Sequence, residues 1–111
     1  MYKNKSGKMG FDIFVLPDAS GQFIQKVLKI KPDLISLDVI MPKRTGYQAI
    51  KLLKQDKRTK HIPVFFLTNL SEEENRKTGI KLGAVDYLVN AKIAPEEVLG
   101  KYWNYLADNL K

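Results

Sequence analysis

Three polar residues close apolar, strand-like runs: Asp38 after DLISL, Thr68 after PVFFL and Asn90 after VDYLV. In an open parallel sheet, ligands bind beyond the carboxyl ends of the strands. A carboxylate, a hydroxyl and an amide converging there could form a small oxyanion or phosphate site, and Lys92 lies two residues beyond the amide. Taken singly, each residue type also has an ordinary structural use, since Asp and Asn cap turns and Thr is common in strands. The spacing alone favours those uses. His61, the only histidine, stands in a loop before Pro63 at the opposite end of a strand, so a catalytic triad or a histidine-rich metal centre has little support. No GxGxxG or GxxxxGK[ST] loop is present to cradle a nucleotide.

The elements that would position these residues alternate along the chain. Strands are predicted at Phe11 to Leu16, Asp33 to Asp38, Pro63 to Thr68 and Val85 to Val89. Between them, Phe23, Ile24, Val27 and Leu28 share one face of a helix from Ser20 to Ile30, which Lys31-Pro32 ends. A second helix runs from Gly46 to Lys57 around Ala49, Ile50, Leu52 and Leu53. Ser71 with Glu74 reads as a capping box for a third, ending at Leu82 before Gly83. A last helix opens at Ala94-Pro95-Glu96-Glu97 and continues through Trp103 and Leu106, with Tyr102, Trp103 and Tyr105 as packing residues. Met1 to Gly10 resembles the tail of a helix with no strand before it. The alternation predicts an α/β domain with a parallel sheet covered on both faces.

A length of 111 residues with 44% hydrophobic side chains suits one domain over residues 1–111. No apolar run approaches the roughly 20 residues that cross a bilayer, and the polar first ten residues lack a signal-peptide core. Cysteine is absent, which removes disulfides and thiolate metal sites. A cytoplasmic location is expected. Nineteen basic against twelve acidic residues give +7, yet the densest cluster, Lys51, Lys54, Lys57, Arg58 and Lys60, fits the wet face of an amphipathic helix. No aromatic residues are interleaved there to stack on bases, so nucleic acid is not expected as a partner.

Three segments, KPDLISLDVIMPKRTG, IPVFFLTN and LGAVDYLVNAKIAPEE, together resemble the receiver domains of bacterial response regulators. The resemblance covers Phe11 to the C-terminus and rests on Asp38 followed by Met41-Pro42 and Gly46, the strand ending at Thr68, and Gly83-Ala84 before Tyr87. It implies a three-layer, flavodoxin-like fold with family strand order 2-1-3-4-5, here lacking the first strand and left with about four strands. It also implies a signalling module of a phosphorelay rather than an independent enzyme, with a histidine kinase or another signalling protein as partner. By the same resemblance, Asp38 would be the phosphoacceptor and Thr68 would bind a phosphoryl oxygen. Tyr87 would be the switch aromatic, and Asp38 with the Ile40 backbone carbonyl would ligate Mg2+.

The chain departs from that pattern in three places. The acidic pair that completes the family's magnesium site is missing, and Asp18 is expected to cap the following helix instead. Asp12 and Asp33 fall at the wrong end of the sheet. Asn90 replaces the lysine that contacts the phosphoryl group, and Ala91 replaces the proline that commonly follows it. The expectation is therefore weak phosphorylation at Asp38 and signalling through protein contacts. The alternatives are a competent acceptor whose metal site a partner chain completes, or a small flavodoxin-like ligand-binding protein. Losing an interior strand would empty about four aliphatic positions, on the order of 10 kcal/mol. Either the Phe11 strand pairs directly with the Asp38 strand, or a second chain closes the gap; a homo-oligomer is the favoured expectation.

Overall fold

The computed structural model describes residues 11–16, 22–41 and 45–109. The expectations for Met1 to Gly10, for Asp18, for the Ser20 start of the first helix and for Pro42 lie outside those residues. Four parallel strands, β1 (Ile13–Val15), β2 (Leu34–Leu37), β3 (Val64–Thr68) and β4 (Asp86–Val89), alternate with four helices. The helices are α1 (Phe23–Ile30), α2 (Gly46–Gln55), α3 (Glu73–Lys81) and α4 (Pro95–Asp108). The strands are one or more residues shorter than their apolar runs, because the flanking residues belong to the connections.

Side chains alternate across the sheet with the period of two that a pleated strand imposes. Phe14, Ile35, Leu37, Val64, Phe66 and Tyr87 meet Phe23 and Val27 of α1 and Ala49, Ile50 and Leu53 of α2 on one face. On the other, Ile13, Leu34, Phe65 and Leu88 meet Val98, Tyr102 and Leu106 of α4. Tyr102 and Tyr105 both pack edge-on against Phe65, as packing residues should. Ser36 is the polar intrusion in this second cluster, and its hydroxyl is satisfied by the Tyr102 hydroxyl at 2.8 Å.

The sheet order is β1-β2-β3-β4, with Ile13 aligned on Leu34. The strand beginning near Phe11 therefore pairs directly with the strand that leads to Asp38. This is the first of the two solutions to the missing interior strand, and it closes the gap within one chain. Ile13 and Phe14 of β1 and Leu34, Ile35 and Leu37 of β2 are all buried, so the two strands pack side by side without an intermediary.

Helix ends show where local signals misled. α3 has Glu72 as its N-cap, not Ser71, because the Glu72 carbonyl receives the amides of Asn75 and Arg76 at 3.1 and 3.3 Å. It stops at Lys81 rather than Leu82, with Gly83 at φ 111° turning the chain. α2 ends at Gln55 instead of Lys57, since the buried Thr59 hydroxyl donates to the Leu53 carbonyl at 2.7 Å and Asp56 is extended. The capping box that does form is Thr45 with Gln48: the Gln48 amide donates to the Thr45 hydroxyl at 3.2 Å and the Thr45 amide to the Gln48 side chain at 2.9 Å. Lys54 leaves the wet face: its ammonium donates at 3.0 Å to each of the Lys60 and Ile62 carbonyls, and burial pulls its pKa down.

Candidate functional site

Strand register brings the site together. Leu37 aligns with Phe66, so Asp38 leaves β2 beside the last turn of β3, where Thr68 aligns with Val89. Parallel pairing thus delivers the residue after β2, the end of β3 and the residue after β4 to one edge. Thr68 is 1% exposed and donates its hydroxyl to Oδ1 of Asp38 at 2.6 Å. The Ile40 amide donates to the same oxygen at 3.1 Å. No hydrogen bond engages Oδ2 among the described residues, and Asp38 is an exposed residue.

Gly46 fixes the floor of this site. Its amide donates to the Val39 carbonyl at 2.7 Å, and a Cβ built on it would stand 2.1 Å from the Asp38 carbonyl oxygen. Only glycine permits that approach, so the start of α2 and the Asp38 loop are held as one piece.

From Thr68 the contacts continue inward. The Leu70 amide lies 3.4 Å from the Thr68 hydroxyl, and the Leu70 carbonyl accepts the Tyr87 hydroxyl at 2.8 Å. Tyr87 is buried against Phe66 with ring centroids 5.8 Å apart. Burial, and then the neighbouring Tyr47 phenol, pushes the Tyr87 pKa up to about 12. Tyr87 therefore remains a hydrogen-bond donor throughout the physiological range.

Not every residue singled out in the sequence joins the cluster. Asn90 and Lys92 form a short 3-10 turn after β4, both are exposed, and no hydrogen bond from either reaches Asp38. Asn90 lines a groove on the α4 face with Val15, Ser36 and Leu67. Asp33 is at the far end of the sheet, accepting the Asp12 amide at 2.8 Å. Among the described residues, no group of three or more His, Asp or Glu side chains stands close enough to hold a metal ion. Of the described residues, Asp38 and the Ile40 carbonyl are the ones at this edge that the family pattern would place on Mg2+, an ion otherwise held by waters and phosphate oxygens. Tyr47, which donates to Asn75, escaped the sequence reading; only its place after Gly46 could have drawn attention to it.

The response regulator receiver domain profile matches residues 4–101. The phosphate regulon transcriptional regulatory protein PhoB of Klebsiella pneumoniae is 44% identical over 70 residues, covering 63% of this chain and 30% of that protein. A probable cyclic di-GMP phosphodiesterase of Vibrio cholerae is also 44% identical over 70 residues, which are 62% of this chain and 16% of its own length. The chain thus spans less than a third of these two relatives. Among solved structures, the BeF3-activated N-terminal receiver domain of Klebsiella pneumoniae RstA superposes with a TM-score of 0.74 at 26% identity, over 91% of this chain and 82% of that one. Sequence profile, four-strand parallel sheet and carboxyl-edge aspartate agree: the chain belongs to the response regulator receiver domain family of two-component signalling.

Proposed function

We propose that the chain serves a phosphorelay with Asp38 in the phosphoacceptor position, that phosphoryl transfer to it is weak, and that its signal leaves through protein contacts. The observation that supports this reading best is the 2.6 Å bond from a buried threonine hydroxyl to one oxygen of an exposed carboxylate. Thr68 and the Ile40 amide orient Asp38 through Oδ1, so Oδ2 is the oxygen that would attack. Its lone pair would form the new P–O bond as the P–N bond of a kinase phosphohistidine breaks, giving an acyl phosphate and free imidazole. The Thr68 hydroxyl would then turn to a phosphoryl oxygen, releasing the Leu70 and Tyr87 contacts behind it.

Charge sets the limit on this step. Bringing a phosphoryl group to an anionic carboxylate requires cations or donors at the developing charge. Receiver domains generally bind Mg2+ there; the described residues bring no cluster of three acidic or histidine side chains to the site, and Asn90 offers an amide where a full positive charge would help, which supports weak transfer. Ile40, 68% exposed next to Asp38, is an apolar foothold for a signalling partner. The retained alternative is a competent acceptor completed by carboxylates from a partner chain. A second copy of this chain is one such partner: β1 ends the described sheet, and Val15 is 40% exposed beside an apolar groove of about 230 Å3.

Titration of the full chain with beryllofluoride and magnesium, followed by amide NMR, tests the proposal. Weak or no saturation at Asp38 and Thr68 is expected, with saturation strengthened in Asn90→Lys. Tight saturation of the unmodified chain at high dilution would overturn it. If binding instead appears only as sedimentation reports self-association, the partner-completed site is supported.

A further inference from the structure

α3 is an unusual helix in this fold because little of it is apolar. Gly79 is its only buried residue, the Glu72 N-cap side chain accepts the Asn75 side-chain amide at 3.2 Å but caps no backbone amide, and Ile80 is 37% exposed. Its seat is a close backbone approach: a Cβ on Gly79 would lie 3.0 Å from the Phe66 ring and 3.1 Å from the Tyr87 ring. A helix with so small a hydrophobic anchor depends on polar contacts for its position. Its first turn has one such contact from another helix. The single proton of the Tyr47 hydroxyl, on α2, is shared between the Asn75 carbonyl oxygen at 2.9 Å and the Asn75 side-chain oxygen at 3.0 Å. Tyr47 also packs edge-on against Phe66 at 5.6 Å, so its ring is held independently of the hydroxyl.

What Tyr47 is attached to gives the contact its meaning. It follows Gly46, the residue pressed against the Asp38 carbonyl and bonded to Val39. A displacement of the Asp38 loop must therefore move the first residues of α2, and Tyr47 moves with them.

We propose that Tyr47 is a positioning residue that ties the first turn of α3 to the Asp38 loop, giving a mechanical link that meets the one through Thr68, Leu70 and Tyr87 at the neighbouring Tyr87 phenol. The hydroxyl is the link and the ring is the hinge support. The regulatory meaning rests on Asp38 being the acceptor position, but the link itself does not.

The test uses the full chain and needs no phosphorylation. Tyr47→Phe keeps the ring and removes the hydroxyl. Hydrogen exchange of the amides from Asn75 to Gly79 should accelerate about fivefold while β3 exchange stays unchanged, as expected for loss of one hydrogen bond. Asp38→Asn then supplies a perturbation at the other end, and the amide shifts it causes in residues 73–77 should fall to half or less in the Tyr47→Phe background. A purely structural role for Tyr47 would not change that transmission. Unchanged α3 exchange, or undiminished shifts, overturns the proposal. A failure of beryllofluoride to bind would count only on the acceptor reading above.

Discussion

Gly46 and Gly100 make a matched pair, because the same substitution to alanine should have opposite signs at the two positions. At Gly46 the added methyl would stand 2.1 Å from the Asp38 carbonyl oxygen, 3.0 Å from the Asp38 carbonyl carbon and 3.0 Å from the Phe66 ring. Two of those neighbours are backbone, and the Gly46 amide is bonded to Val39 at 2.7 Å, so relief requires the Asp38 loop or the start of α2 to shift. Overpacking of this kind costs about 1–3 kcal/mol, and the backbone partners place it near about 3. Better helix propensity offsets part of this, but only a few tenths of a kcal/mol at a first-turn position, against about 1 kcal/mol in a helix interior. At Gly100, inside α4, a Cβ meets nothing within 4 Å, so alanine should stabilise by about 0.5–1 kcal/mol. At roughly 4 °C per kcal/mol for a chain of this size, Gly46→Ala should lower Tm by about 10 °C and Gly100→Ala should raise it by a few degrees. Urea unfolding with linear extrapolation checks both, with the slope unchanged if the denatured state is unaffected. A Gly46→Ala protein within about 0.5 kcal/mol of the parent would refute the claimed contact between α2 and the Asp38 loop.

Tyr102→Phe should cost about 1–2 kcal/mol in urea unfolding, because it strands the buried Ser36 hydroxyl; a neutral result would remove that bond from the account. Raising pH through 10 toward 12 should destabilise the fold, since unfolded Tyr87 ionises near 10 while the buried phenol is held protonated to about 12. The difference is on the order of 2 kcal/mol. Tyr87→Phe should flatten this alkaline slope, against an opposite, rising contribution from Lys54, whose folded pKa is lowered. Asp56, held at about 2 by its bonds to Arg58, contributes stability above pH 4 that is lost as pH falls toward 2. The pair is exposed, so the effect should be small and salt-screened, and acid titration of Asp56→Asn should lack it.

Much of the architecture was legible because it depends on short-range pattern. The apolar run at FFL, the mostly apolar LISL and the helical spacing at Phe23, Val27, Ala49, Ile50 and Leu53 are consequences of which faces must be covered, and their apolar residues pack in the two observed clusters. Asp38 and Thr68 stood out through the resemblance of their flanking segments to receiver domains, since strand-end position alone favoured ordinary structural uses for both. Other features were not legible. The Ser71 cap failed because several residues there can begin a helix, and backbone geometry at Glu72 decided among them. Lys54 read as solvated because one helical face does not reveal that the returning loop offers it two carbonyls. Beyond its place after Gly46, Tyr47 carried no signal, since its partner Asn75 lies 28 residues away on another helix.

The sequence by itself determined the order and type of the elements, the receiver family and the polar residues available at the carboxyl edge, since all of these are written in local periodicity and motif. Tertiary structure alone decided which strand is the neighbour of β2, which oxygen of Asp38 is occupied, and which tyrosine reaches α3. Those outcomes turn on distances of a few tenths of an ångström between residues far apart in the chain. Such distances are fixed only when the two apolar faces of the sheet are packed simultaneously.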